Sequence, residues 1–160
     1  MDKLKEIINE KKINLELIKE KYSIDSINKK IESQNFYYNF KDKIIQNEKI
    51  SIIAEIKKAS PSAGLIVKDF NHLDIAKTYS DSGAACLSIL TEEKYFQGNP
   101  NFITDIKKNF KLPILAKDFF VDPFQVPLMK SYGCDCILII LAALNESQAD
   151  EIYDEALKNN

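Results

Sequence analysis

Two lysines and a glutamate carry the strongest chemical signal in this 160-residue sequence. Glu55 and Lys57 lie two residues apart in the apolar run Ile52-Ile53-Ala54-Glu55-Ile56-Lys57. Lys117 ends a second such run, Pro113-Ile114-Leu115-Ala116-Lys117. Side chains alternate between the faces of a strand, so Ile53, Glu55 and Lys57 share one face, and Lys117 shares the face of Leu115. Charge inside a dry sheet is costly unless paired, so the three side chains are expected to form one network. Two ammonium groups held close favour loss of a proton from one of them, and a carboxylate between them opposes that. A lysine tuned in this way suits general acid chemistry near neutral pH. The alternative is a buried ion-pair network without catalysis.

Two loops add to this set. Ala59-Ser60-Pro61-Ser62-Ala63-Gly64 follows the first run directly. Hydroxyls at Ser60 and Ser62 beside a glycine suit a phosphate, although Ser-Pro-Ser also occurs in ordinary loops. Residues 91–100 carry Glu92, Tyr95 and Phe96 and are long for a strand-to-helix connection, which suggests a role beyond connection. Lys58 and Asp118 have the opposite parity to the triad and are expected to face outer helices or solvent. His72, the one histidine, is expected to be solvated or to cap a helix. Cys86, Cys134 and Cys136 have no metal-ligand spacing and read as reduced core residues rather than a metal or redox site.

The elements that must position these residues follow from periodicity. Leu4, Ile8, Leu15 and Ile18 make a helical stripe over residues 4–21. Asp25 or Ser26 is positioned to cap a short second helix, and residues 36–45 read as a third helical piece. From Ile50 onward strands and helices alternate. Strands are expected near 51–57, 86–91, 113–119 and 136–141, with helices near 73–82, 102–109, 123–132 and 146–158. The last strand is a continuous apolar run, as for a strand buried on both faces. Alternation of this kind means parallel strands joined by right-handed crossovers. An open doubly wound sheet and part of a (β/α)8 barrel both fit. No G-x-G-x-x-G follows the first strand, so a dinucleotide fold has no support. In either architecture the site lies at the carboxyl ends of the strands, where the triad and both loops fall.

With 22 basic and 24 acidic residues the formal net charge is −2. No basic field draws nucleic acid. No run approaches the roughly 20 apolar residues of a membrane span, and Met1-Asp2-Lys3-Leu4-Lys5-Glu6 is not a signal peptide. A cytoplasmic protein is the simplest reading.

Three motifs together resemble the indole-3-glycerol phosphate synthase family of tryptophan biosynthesis. They are Ile53-Ala54-Glu55-Ile56-Lys57-Lys58-Ala59-Ser60-Pro61-Ser62-x-Gly64, Leu87-Ser88-Ile89-Leu90-Thr91-Glu92-Glu93-Lys94-Tyr95-Phe96-Gln97-Gly98 and Pro113-Ile114-Leu115-x-Lys117-Asp118-Phe119. The helical opening resembles the family's extension before its barrel. The resemblance implies a (β/α)8 TIM-barrel fold. It also implies ring closure, decarboxylation and dehydration of 1-(2-carboxyphenylamino)-1-deoxyribulose 5-phosphate, a lyase reaction without cofactor or metal. Lys117 would be the general acid that protonates the ribulose carbonyl oxygen. Glu55 and Lys57 would hold sugar hydroxyls and the lysine network, with Lys57 a candidate donor for dehydration. Ser60 would contact the phosphate, and Phe96, Phe119 and Leu138 would wall the aromatic end of the substrate.

Two departures stand out. Ala63 occupies the place of a lysine in the family's Pro-Ser-Lys-Gly loop. A complete barrel takes about 250 residues, so residues 50–160 supply only about the first four βα units, preceded by an N-terminal helical extension over 1–49. Strands five to eight would carry a second catalytic glutamate, an asparagine and a glycine- and serine-rich phosphate cradle. The expectation is therefore a truncated portion of such an enzyme, inactive or nearly so by itself. A stand-alone half barrel that self-associates through its exposed edges and binds a phosphorylated ligand without catalysis is the alternative. A phosphoribosylanthranilate isomerase would leave Glu55, Lys57 and Lys117 unexplained.

Overall fold

The computed structural model describes residues 3–45 and 50–159, so the expected boundary at residue 49 lies outside the described residues. In chain order the elements are α1 (Lys3–Lys21), α2 (Ile24–Glu32), α3 (Phe40–Ile45), β1 (Ile53–Ile56), β2 (Ala59–Ser60), β3 (Gly64–Leu65), α4 (His72–Asp81), β4 (Cys86–Leu90), α5 (Asn101–Asn109), β5 (Ile114–Lys117), α6 (Gln125–Tyr132), β6 (Cys136–Ile137) and α7 (Glu146–Lys158). One turn of 3-10 helix, Leu141–Ala143, precedes α7. Two compact units result. The described residues up to Asn35, with Phe119–Ser131 and those from Leu138 on, form the first; the described part of Phe36–Asp118, with Tyr132–Ile137, forms the second.

The first unit buries the helical stripe read from the sequence. Ile8 and Leu15 close on Val121, with Leu4, Ile18, Phe119, Phe124, Ala143 and Leu144 packed around them. Lys19 reaches Asp122 at 2.7 Å. The cap of α2 is Ser23, whose Oγ accepts the Ser26 N–H at 3.2 Å, and neither Asp25 nor Ser26 fills that role. Starting the helix at Ile24 places Ile27 in the core, and that burial selects among three neighbouring polar candidates. At α7, Asn145 and Gln148 form a reciprocal capping box.

The second unit is built on a parallel sheet in the order β1-β4-β5-β6. Rows run across it: Ile56, Ile89, Ala116 and Ile137 on one face, Glu55, Ser88, Leu115 and Cys136 on the other. Ile56, Ile89 and Ala116 are fully buried, as are Leu87 and Ile114 one row earlier on the same face. β6 is shorter than expected. Among the described residues it pairs with β5 alone, and residues 136–140 are half-buried where the apolar run suggested burial on both faces.

Residues 36–39 are not helical, contrary to expectation. Their backbone groups are taken by side chains of α5 and of the residue before β6. The Tyr38 N–H donates to Asp135 Oδ1 at 2.6 Å, and the Phe36 carbonyl accepts from Lys107 Nζ at 3.2 Å. Lys107 also lies 4.1 Å from the centroid of the Tyr38 ring. His72 differs too. Asn71 caps α4, accepting the Leu73 N–H at 3.0 Å. His72 stacks on Phe102 at 4.4 Å and meets Asp105 at 3.2 Å, which joins α4 to α5. The three cysteines are free. Among the described residues no helix is long and apolar enough to cross a membrane.

Candidate functional site

β1 and β5 deliver the triad to one place. Glu55 receives two ammonium groups, one on each oxygen: Lys57 Nζ at 2.6 Å from Oε1, and Lys117 Nζ on Oε2. Register explains how Lys117 arrives. Leu115 is level with Glu55 through Ser88, and Lys117 lies one row further, level with Leu90. Its long side chain crosses over β4 and back toward the Glu55 row. The Tyr79 hydroxyl donates to the Glu55 carbonyl at 3.3 Å and ties β1 to α4.

The triad is partly open, with Glu55 27 % exposed and Lys117 37 % exposed. Burial pushes the Glu55 carboxyl up, but hydrogen bonds from Lys117 and Lys57 outweigh it and hold the group below its ordinary value. Two cations sharing one anion leave a net positive charge. The arrangement suits an anionic ligand and leaves the Lys117 side chain partly open to solvent.

Ser60 sits in a small hairpin where the sequence suggests a loop. β2 and β3 pair antiparallel around Pro61, Ser62 and Ala63, with Gly64 at φ +64°. Ser60 Oγ accepts the Ala63 N–H at 3.1 Å and lies 3.4 Å from Ser62 Oγ. Pro followed by Gly three residues on was the available signal. The Lys58 carbonyl accepts the Ile66 and Val67 N–H groups at 2.9 and 3.2 Å, closing the hairpin base.

The loop after β4 holds a surprise. Glu92 does not project into the site. It is buried, and its carboxylate accepts the backbone N–H of Tyr95 at 2.7 Å, of Phe96 at 3.0 Å and of Lys94 at 3.2 Å. The Phe96 carbonyl then accepts the Ala59 N–H at 3.2 Å, which links this loop to the hairpin bearing Ser60. An acidic residue just ahead of a turn is the sequence signal for such a local carboxylate-to-backbone bond. Asp118 does not face solvent either. It is buried and accepts from Thr91 Oγ1 at 2.8 Å, so the end of β5 is pinned to the end of β4.

Glu55, Lys57, Lys117, Ser60 and Phe96 all belong to the second unit. Phe119 and Leu138 belong to the first, where Phe119 packs on the Ile8–Leu15–Val121 core and Leu138 is half-buried.

Comparison with known proteins agrees with the motifs. The family model described as indole-3-glycerol phosphate synthase matches residues 4–160. An indole-3-glycerol phosphate synthase of Aliarcobacter butzleri is 45 % identical over 158 residues, covering 96 % of this chain and 59 % of the relative. One from Azospirillum brasilense is 49 % identical over 113 residues, covering 71 % of this chain and 43 % of the relative. A tryptophan biosynthesis protein of Buchnera aphidicola is 42 % identical over 161 residues, covering 98 % of this chain and 34 % of the relative. The chain thus spans 34–59 % of the length of these three relatives.

Proposed function

This chain belongs to the indole-3-glycerol phosphate synthase family, a (β/α)8 class of which it carries a partial barrel, and from that premise we propose that it is part of an enzyme that makes indole-3-glycerol phosphate, inactive or nearly so as these 160 residues alone. The substrate is 1-(2-carboxyphenylamino)-1-deoxyribulose 5-phosphate, and the steps are ring closure, loss of CO2 and loss of water. The observation that carries the reading is Glu55 held between Lys57 and Lys117 at the strand ends. Lys117 is the general acid. It protonates the ribulose carbonyl oxygen as the ring carbon attacks. Glu55 keeps the ammonium aimed and binds sugar hydroxyls, and Lys57 serves the dehydration. Ser60, at the tip of its hairpin, contacts the phosphate, and Phe96 flanks the aromatic ring. Residues 1–49 serve as an extension to the barrel begun by 50–160. Free thiols fit a reducing, cytoplasmic setting.

Changing Lys117 tests this. In the whole protein, Lys117→Arg keeps a cation opposite Glu55 but holds its proton too tightly to give it up. Turnover should fall by roughly 100-fold or more with the fold intact. Lys117→Ala that retains wild-type turnover would overturn the assignment.

One observation favours a second reading. β1 is an outer strand of the sheet, and Ile52 and Ile53 beside it are exposed. A chain that acts as a half barrel would pair through this edge and bind phosphorylated ligands without turnover. A monomer by light scattering at high concentration removes it.

A further inference from the structure

We propose that Glu92 is a positioning residue that sets the geometry of the Ser60 hairpin through Phe96. The proposal rests on the reading of Ser60 and Phe96 as substrate contacts. The chain of bonds is short and continuous. The Glu92 carboxylate gathers the N–H groups of residues 94 to 96. That turn orients the Phe96 carbonyl toward the Ala59 N–H. Ala59 is the buried residue of β2 directly before Ser60, and Ser60 Oγ in turn holds the Ala63 N–H. A second contact locks the loop from behind, with the Gly98 N–H donating to the Glu92 carbonyl at 2.8 Å.

Charge matters here. An ionised carboxylate is acceptor-only and can serve three donors at once, and such charge-assisted bonds are the stronger kind. An amide of the same size offers one acceptor oxygen and turns an NH2 toward a donor. The loop after β4 and the loop after β1 are thus one mechanical unit, with Glu92 as its fixed point. The same residue orients the aromatic flank and the phosphate contact together.

Amide hydrogen exchange tests this on the chain itself. In the unmodified protein the amides of Tyr95, Phe96 and Ala59 should be protected; fast exchange at them overturns the proposal before any variant is made. In Glu92→Gln these amides should exchange roughly tenfold faster or more, while Ile106 in α5 is unchanged. Glu92→Asp, which keeps the charge, should restore part of the protection. Faster exchange at 94–96 with Ala59 unaffected would break the link to the hairpin. Inorganic phosphate, titrated against the Ser62 and Ala63 amide signals, gives the functional readout. Its affinity should fall roughly tenfold in Glu92→Gln and recover partly in Glu92→Asp. Unchanged affinity overturns the positioning role. No phosphate response in the unmodified protein overturns the reading of Ser60 instead, and the coupling then stands or falls on Ala59 protection.

Discussion

Lys107 and Asp135 form an ion pair at 2.5 Å with both side chains fully withdrawn from water. The pair joins four segments: residues 36–38, α5, the start of β5 and the residue before β6. Asp135 also takes the N–H of Tyr38 and, at 2.7 Å, that of Ile114, while Lys107 takes the Phe36 carbonyl. Burial pushes the lysine down and the aspartate up, and their mutual attraction opposes both shifts. Such a pair contributes little over an apolar replacement, but half of it is costly. Asp135→Asn should therefore lower stability by about 3–5 kcal/mol in urea unfolding. Lys107→Met added to it should recover much of the loss. A single variant within about 1 kcal/mol of wild type would mean that the pair holds nothing together.

Glu55 makes stability depend on pH in a defined direction. Burial raises its carboxyl and the bonds from Lys117 and Lys57 lower it further than burial raises it, so its folded value lies below the ordinary 4.5. Its contribution is full above that value and is lost as pH falls through the folded one. Partial exposure screens it to about 1 kcal/mol or less. The stability gap between wild type and Glu55→Gln should shrink as the pH drops from neutrality to about 3. A gap that is flat or widens on acidification contradicts the pairing.

Gly98 is required for close approach. A Cβ there would collide with the Leu90 carbonyl, lying 2.6 Å from its carbon, and with the Glu92 carbonyl oxygen at 2.8 Å. These are backbone atoms that cannot swing aside. Gly98→Ala should cost about 1–3 kcal/mol and loosen the loop from residue 91 to 98. Thermal unfolding indistinguishable from wild type would show that the loop relaxes freely.

Much of this architecture was legible in the residues. The stripe Leu4, Ile8, Leu15 and Ile18 specified a helix face, and that face is what closes on Val121. Strand parity placed Glu55 with Lys57 on one face of the first strand and Lys117 with Leu115 on one face of another, because alternation is a property of the extended backbone itself. Three motifs in order identified the family. What parity leaves open is distance. Glu55 and Lys117 are 62 residues apart, and only the β1-β4-β5 register brings their side chains into contact.

The errors share a cause. Residues 36–39 read as the start of a helix, yet their backbone bonds go to Lys107 and Asp135. Glu92 lies in a loop expected at the site, yet its carboxylate is spent on the turn that follows it. His72 looked solvated, yet Phe102 covers it. The sequence by itself determined the alternation of strands and helices after residue 50, strand parity and family, since these follow from local backbone geometry and from side chains at fixed spacing. Tertiary structure alone decided which polar groups face substrate and which face the protein. Every buried donor or acceptor must find a partner, and the partner is set by whichever segment the fold brings alongside.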